Sequence, residues 1–417
     1  MGEVCEVERD IESIRLPQWG RVVATDDGVA PFVVVDPDGQ PVEPISQFLR
    51  DFVARGRSLG SVRSYAFDLH RWWRFLVTVG VSWDQATSVE VRDFVLWLRQ
   101  ADKQRRHRRT KSRATAGQIN PVTRKLHQDD HYQPRTIRHS NAVLRSFYEF
   151  AIDEQCGPLV NPVKQERSCG RRANAHHNPL ESFRTEGRLR YNPKLPRQRP
   201  RAMPDERWLE LFAQMRSNRD RAILALAVSS GARAGELLGM RAADIDWGEQ
   251  LIQVRRKGSR AAQWLPASAE AFVWLRLYVD EIDEPKSPND FVWQTLRRRS
   301  YQGAKLSRRP MNYEALRAVL RRANDALGTN WSMHDCRHTA AIRMTQSRKL
   351  SVRDVQAILG HAHLTTTQIY LVDDENAVLQ RVRQYLAERA AGADKPVAVG
   401  GGYNASDLAV LFGGDRR

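Results

Sequence analysis

Apolar residues recur at helical spacing over most of the chain, and strand-like patterning is confined to two places. Near the start, Arg21–Ala24 and Phe32–Val35 read as short strands flanked by the turn signals Asp26-Asp27-Gly28 and Asp36-Pro37-Asp38-Gly39. From Ile45 the period turns helical, with Ile45, Phe48, Leu49, Phe52 and Val53 on one face and Gly56 ending the segment. A second helix from about Ser61 carries Val62, Tyr65, Leu69, Trp72, Trp73 and Leu76, and shows Arg63, Arg71 and Arg74 on its other side. A third runs from Ser88 through Val91, Phe94, Val95 and Leu98. A fourth follows Pro134 and uses Ile137, Val143, Leu144, Phe147 and Phe150, with Arg135, Arg138, His139 and Arg145 around it. Four helices with aromatic interiors and basic exteriors predict a compact bundle.

The second half has a different texture. A helix starts at Asp205, and Ala222–Val228 reads as a fully buried helix stopped by Gly231. Leu251–Val254 and Gln263–Leu265 flank a Lys257-Gly258 turn and predict a β-hairpin. The remainder to about Ala390 reads as helical. Small residues from Ala390 to Gly402 form a linker before a last apolar stretch, Ser406–Phe412. The pattern divides the chain into a short β extension (1–44), a helical bundle (45–163), a basic, proline-containing strap (164–203), a second mostly helical domain with a small antiparallel sheet (204–390) and a C-terminal linker and tail (391–417). The fold class expected is mainly α.

Charge narrows the partners. The 417 residues carry 66 Lys and Arg against 49 Asp and Glu, a formal net charge of +17, which makes nucleic acid the first candidate and a membrane surface the second. No apolar run approaches the roughly 20 residues that span a bilayer, and the acidic N-terminus Met1–Glu8 has no apolar signal-peptide core. Cys5, Cys156, Cys169 and Cys336 are scattered without CxxC spacing. That argues against a disulfide framework or structural zinc and fits a reducing cytoplasm. The run Lys103–Arg113 has no apolar period and reads as a basic insertion, either disordered or ordered by DNA. His176-His177, inside the strap, has no further ligands beside it and reads as a loop feature.

Candidate chemistry concentrates in the second domain. Leu359-Gly360-His361 reads as a helix end and glycine turn, followed by a new helix that presents Tyr370. Arg233 follows the stop of the buried helix in Gly-Ala-Arg-Ala-Gly-Glu, Lys257 occupies the hairpin turn, and His334 and Arg337 lie three apart in Ser332-Met-His-Asp-Cys-Arg-His-Thr. That spacing puts His334 and Arg337 on one helical face, with Ser332 and Asp335 as a capping box. Transfer of a phosphoryl group needs donors for its non-bridging oxygens, and two guanidiniums such as Arg233 and Arg337 suit that task. It needs a nucleophile: a tyrosine, with a free pKa of about 10, attacks as phenolate only if cations favour it. It needs an acid for the leaving 5′-oxygen, which a hairpin lysine can supply. Each residue also has a plainer reading. Tyr370 could be a packed aromatic, Arg233 a cap of the preceding helix or a partner of Glu236, Lys257 an ordinary turn lysine and His338 a packed histidine or one that supports a neighbouring site residue. The sets His334, Cys336, His338 and His361, His363 could be proposed as metal ligands, but alternate residues on a helix diverge.

Order and spacing together resemble the tyrosine recombinases, or phage-type integrases: Arg233 in GxRxxE, Lys257 in a β-turn, His334-x-x-Arg337-His338-Thr339, Leu359-Gly360-His361 and then Tyr370. The helical bundle resembles that family's SAM-like core-binding domain, and the second domain its DNA breaking-rejoining fold. The resemblance implies that Tyr370 attacks a scissile phosphate to form a 3′-phosphotyrosyl link, that Arg233, Arg337, His334 and His361 bind and activate the phosphate, and that Lys257 protonates the leaving oxygen. It implies no cofactor and no metal. The implied partners are double-stranded DNA carrying specific recombination sites, three further copies in a homotetramer on two sites with the C-terminal tail docking on a neighbour, and an accessory directionality factor. It implies no membrane, and a cytoplasmic, nucleoid-associated location. The N-terminal extension, basic insertion and long strap resemble integrases of mobile elements more than compact chromosome-dimer resolvases. A type IB topoisomerase, or an inert DNA-binding accessory protein, is the alternative.

Overall fold

The computed structural model describes residues 9–103, 115–166, 188–195, 201–282, 287–298, 307–347, 349–361, 363–370 and 382–388. Residues 104–114 of the basic insertion, His176-His177, much of the strap and the tail beyond 388 lie outside the described residues. The chain divides into two compact units, Met1–Gln198 and Arg199–Arg417. The fold is mainly helical with two small antiparallel sheets, as the sequence pattern predicts.

In the first unit, β1 (Arg21–Ala24) and β2 (Phe32–Val35) pair antiparallel, Arg21 opposite Val35. The bundle follows as α1 (Glu43–Ala54), α2 (Leu59–Val79), α3 (Ser88–Gln100) and α4 (Pro134–Asp153). Helix α1 begins two residues before Ile45 because Pro44 suits the first turn, where its missing N–H costs nothing. Thr87 and Glu90 close a capping box at the start of α3, and Gly80 ends α2 in the left-handed region. The core is aromatic. Trp72 is fully buried, stacks on Phe75 at 5.7 Å, and donates from Nε1 to the Tyr148 hydroxyl at 2.9 Å, which in turn donates to the Trp83 carbonyl. The chain lets Trp72 be buried only because that indole N–H has a partner.

In the second unit, α5 (Asp205–Ala213) leads to α6 (Asn218–Ser230), whose Ala222–Ala227 run is buried on every side. Helix α6 packs between α8 (Ala269–Ile282) and α10 (Met333–Gln346). A short α7 (Ala234–Leu238) and the sheet β3 (Ile245–Asp246), β4 (Leu251–Arg255) and β5 (Ala262–Pro266) come between, in spatial order β3-β4-β5. The expected hairpin is β4–β5; the two-residue β3 was not anticipated. Nor was the irregular segment around Val292 and Trp293, both fully buried, where the pattern suggested helix. Trp293 stacks on Tyr278 at 5.5 Å and donates to the Leu237 carbonyl, so tertiary partners hold it in place of a helical period. Helices α9 (Tyr313–Leu327), α11 (Val352–Leu359) and α12 (Leu364–Gln368) complete the unit. Among the described residues no helix is long and apolar enough to cross a membrane.

Replacing Trp72 by Ala removes the largest buried side chain of the bundle and the donor to the Tyr148 hydroxyl. It should destabilise the protein by about 3–5 kcal/mol, seen as a lower midpoint in chemical denaturation. A midpoint within error of wild type would contradict this account of the core.

Candidate active site

The site is built around the guanidinium of Arg337, which is 2% exposed. Its seat is made by the ends of two helices. Nη1 donates to the Gly231 carbonyl beyond α6 at 2.7 Å, and Nη2 to the Leu359 carbonyl at the end of α11 at 2.6 Å. These are the carbonyls a helix leaves unsatisfied, and the negative end of each helix dipole faces the cation. Burial, followed by the neighbouring charge of Arg233, lowers the Arg337 pKa to about 10, so it stays charged at neutral pH. Both helix ends turn through left-handed glycines. Gly231 (φ +67°) has Leu359 Cδ2 only 2.9 Å from where a Cβ would stand, and Gly360 (φ +60°) has Arg256 Nε at 2.7 Å. Neither position accommodates a side chain without displacing the parts that form the seat.

The third acceptor on Arg337 is His361 Nε2, 3.0 Å from Nη2. Arginine can only donate, so Nε2 carries the lone pair and the proton sits on Nδ1, which donates to the Thr367 hydroxyl at 2.9 Å. Burial first, then the charges of Arg337, Arg233 and Arg256, push the His361 pKa down to about 4 and keep the ring neutral. The Tyr370 ring lies nearly parallel to His361, with centroids 6.2 Å apart and planes at 10°. Tyr370 is 4% exposed and packs with Ala341, Ile342, Val355 and Leu359. Its hydroxyl is hydrogen-bonded to His338 Nδ1 at 2.9 Å. Burial raises the Tyr370 pKa, opposed by the charges of Arg337 and Arg233.

A second group of charges adjoins the first. Arg233, at the entry to α7, donates from Nη1 to Glu236 at 2.8 Å, and its backbone N–H donates to the same carboxylate. Arg256 donates to Glu236 at 3.0 Å, to Gln263 and to the Ile358 carbonyl. Burial alone would raise the Glu236 pKa, but the hydrogen bonds from Arg233 and the charge of Arg256 outweigh it and hold the carboxyl below its usual value. Three guanidiniums therefore face one carboxylate.

The structure brings Arg337, His361 and Tyr370 together and couples Arg233 to all three by charge. His334 is on the exposed side of α10 and meets His338 edge-on, ring centroids 4.2 Å apart. Lys257 is exposed on the β4–β5 turn, one residue beyond the tethered Arg256. Ser332 and Asp335 form the anticipated cap, with the Ser332 N–H and hydroxyl both donating to Asp335. Cys336 is fully buried while His334 is exposed, so these two diverge on the helix. Sequence reasoning missed Arg256 and Thr367 and gave His338 a packing or supporting role without naming its partner. Its position four residues after His334 was the available signal, since i and i+4 share a face.

This mostly helical fold agrees with what known proteins show. The phage integrase family profile matches residues 203–377, and that of the phage integrase N-terminal SAM-like domain matches residues 45–116. The chain belongs to the phage integrase family, the tyrosine recombinases, and is by class a tyrosine-type site-specific recombinase. It is 31% identical over 223 residues to tyrosine recombinase XerC of Pseudomonas aeruginosa, covering 50% of this chain and 69% of the relative. It is 28% identical over 245 residues to tyrosine recombinase XerC of Chlamydia trachomatis serovar L2, covering 58% and 67%. The fold is shared with the Tn1549 transposon integrase in complex with circular intermediate DNA, at a TM-score of 0.52 and 13% identity over 81% of this chain and 98% of that one.

His361 gives a pH prediction. Its folded pKa of about 4 lies below the free value of about 6.5, so between these limits the unfolded chain binds the proton and the folded one does not. Stability then rises with pH across that window. It is fully present above about 6.5 and is lost as pH falls toward about 4. Relative to wild type, His361→Gln should show a flatter melting temperature between these pH values; equal slopes would contradict the neutral, buried assignment.

Proposed function

We propose that this chain cuts and rejoins DNA strands at specific sites through a 3′-phosphotyrosyl intermediate formed on Tyr370. The observation that carries the reading is the Tyr370 hydroxyl held 2.9 Å from a proton acceptor, His338 Nδ1, beside the Arg337–His361 pair. Three of the five Arg337 N–H groups are committed to Gly231, Leu359 and His361. The remaining two, with Arg233, can take the non-bridging oxygens of a phosphodiester. Glu236 balances only one of the three guanidiniums, so a phosphodiester anion and the charge developing on the tyrosine would complete the site electrostatically.

In the proposed reaction the Tyr370 oxygen forms a bond to phosphorus and loses its proton to His338, while the bond from phosphorus to the 5′-oxygen breaks. Lys257 gives a proton to that oxygen. His334, on the exposed side of α10, contributes a further hydrogen bond to the phosphate. A 5′-hydroxyl from a partner strand reverses the steps and reseals the DNA. The energy of the phosphodiester is retained in the covalent link, so the exchange needs no ATP. Strand exchange requires two sites and hence several copies of the chain, for which a homotetramer with tails passed between neighbours is the proposed arrangement. Service to a mobile element, in integration, excision or transposition under an accessory factor, is the proposed context. The five-part division at 44, 163, 203 and 390 is proposed with it.

Incubation with nicked suicide substrates carrying the element's own ends should trap a protein–DNA adduct. Tyr370→Phe should form none, and His338→Ala should form it about a hundredfold more slowly, the lower end of what a positioned base contributes. An adduct formed by Tyr370→Phe would sink the assignment of the nucleophile. Unimpaired His338→Ala would remove the proton-acceptor role.

Deleting residues 404–417 should weaken pairing of two sites in a gel-shift assay while sparing cleavage of a single site. Unchanged recombination by the truncated protein would sink the tail-docking arrangement.

A further inference from the structure

The N-terminal extension takes no part in the chemistry proposed above, yet it is firmly fixed to the bundle. Arg9 forms ion pairs with Glu90 at 2.7 Å and Asp93 at 2.9 Å on α3. The Trp97 indole donates to the Ile14 carbonyl, Arg74 on α2 donates to the carbonyls of Leu16 and Pro17, and His70 is 2.7 Å from the Trp19 carbonyl. Val34 of β2 is fully buried in the same core. A segment docked this way presents a defined surface.

That surface closes one side of a cavity of about 1120 Å³ between the extension, α2 and the residues flanking α3 and α4. Six cations line it, Arg15 and Arg21 from the extension, Arg63, Arg71 and Arg74 from α2, and Lys103, against two acids, Glu12 and Asp102. One of those acids is already engaged, since Asp102 is 3.5 Å from His131. Some of the cations are engaged too: Arg74 pins the extension, and Arg71 pairs with Asp68. Arg15, Arg21 and Arg63 are exposed and none of them forms an ion pair with a carboxylate among the described residues; Arg15 Nη1 donates to the Glu12 and Ile14 carbonyls, which aligns its guanidinium, and Arg63 lies over the Phe67 ring. Unpaired guanidiniums gathered in a concave surface raise the local potential for anions. The cavity continues past Arg63, the exposed Phe67 and Arg71 into a second groove, between α2 and the start of α4, that adds Arg135 and His139. A small acid would fill one corner of so long a basic surface; a polyanion with regularly spaced charges matches its length.

We propose that the N-terminal extension builds a DNA-backbone site of its own, in which Arg15 and Arg21 contact phosphates beyond those reached from the α2–α4 groove. The proposal rests on the reading of the chain as a DNA recombinase and extends the DNA surface to a segment outside the two matched domains. Contacts of this kind position the protein on the duplex without reading its sequence. They release counterions, so each contributes about 0.9 to the slope of log affinity against log salt.

The test uses the full chain and an arbitrary-sequence duplex, with binding followed by fluorescence anisotropy over a salt series. The double variant Arg15→Gln/Arg21→Gln should lose about 1.8 from the slope, two contacts at about 0.9 each, whereas Arg15→Lys/Arg21→Lys should keep the wild-type slope because the charge is preserved. A Gln variant with the wild-type slope overturns the proposal. So does a loss confined to single-stranded RNA with the duplex slope unchanged, which would give the cleft to a different partner. Absence of a Tyr370 adduct from wild type on nicked substrate would count against the recombinase reading instead, and it leaves the slope comparison standing as a separate result.

Discussion

A buried guanidinium is costly, several kcal/mol if nothing replaces its water, and Arg337 is held by the ends of two helices that need donors of their own. The Gly231 and Leu359 carbonyls would otherwise be orphaned at the C-termini of α6 and α11, and the guanidinium satisfies both. One interaction therefore fixes three elements widely separated in sequence: α10, which carries Arg337; the stop of α6, from which Arg233 follows two residues later; and the stop of α11, from which His361 follows two residues later. The hairpin is tied to the same point. Arg256 and Gln263 donate to the Ile358 and Ala357 carbonyls, so the last turn of α11 is clamped from the sheet side as well. Left-handed glycines at both helix ends are what allow the strands of this seat to close so tightly.

The same seat sets the state of the nucleophile. Burial holds the Tyr370 phenol protonated against the pull of Arg337 and Arg233. In the proposed reaction its proton leaves as the bond to phosphorus forms, and the His338 nitrogen already at hydrogen-bond distance would take it without a water having to reach a 4% exposed residue. His361 cannot be that acceptor: its Nε2 lone pair is occupied by Arg337 and its Nδ1 carries the proton given to Thr367. Of the two histidines around Tyr370, one serves the phosphate seat and the other the phenol.

Much of the architecture was legible in the sequence because the helices are amphipathic and sharply bounded. The starts at Ser88 and Asp205 and the stop at Gly231 are ends that the structure reproduces. The segment around Trp293 was not legible, since its burial depends on Tyr278 and the Leu237 carbonyl, neither of which is near it in sequence. The site divides in the same way. Arg233, Arg337, His361 and Tyr370 stand in recognisable spacings, but Arg256 is one of three consecutive basic residues, and nothing local distinguishes the one that turns inward to Glu236. His338 reads as packed or as a support for a neighbouring site residue, and its half-buried ring hydrogen-bonds to the Tyr370 hydroxyl. Arg233 pairs with Glu236, as its plainer reading has it, and its charge also acts on Tyr370.

The position of Lys257 follows from the geometry of displacement rather than from that seat. In an in-line transfer the attacking and leaving oxygens lie on opposite sides of phosphorus, so the proposed reaction is served by an acid on an element separate from the one that carries Tyr370. Tyr370, His338, Arg337 and His361 all arise from α10 and the stretch from α11 to the end of α12. The hairpin is a separate element, rooted by the buried Arg256 and exposing Lys257 on the next residue of its turn. A root held by Glu236 and Ile358 with an exposed tip would, in the proposed reaction, give Lys257 a fixed origin beside Arg233 and Arg337 and a side chain long enough to approach the leaving oxygen.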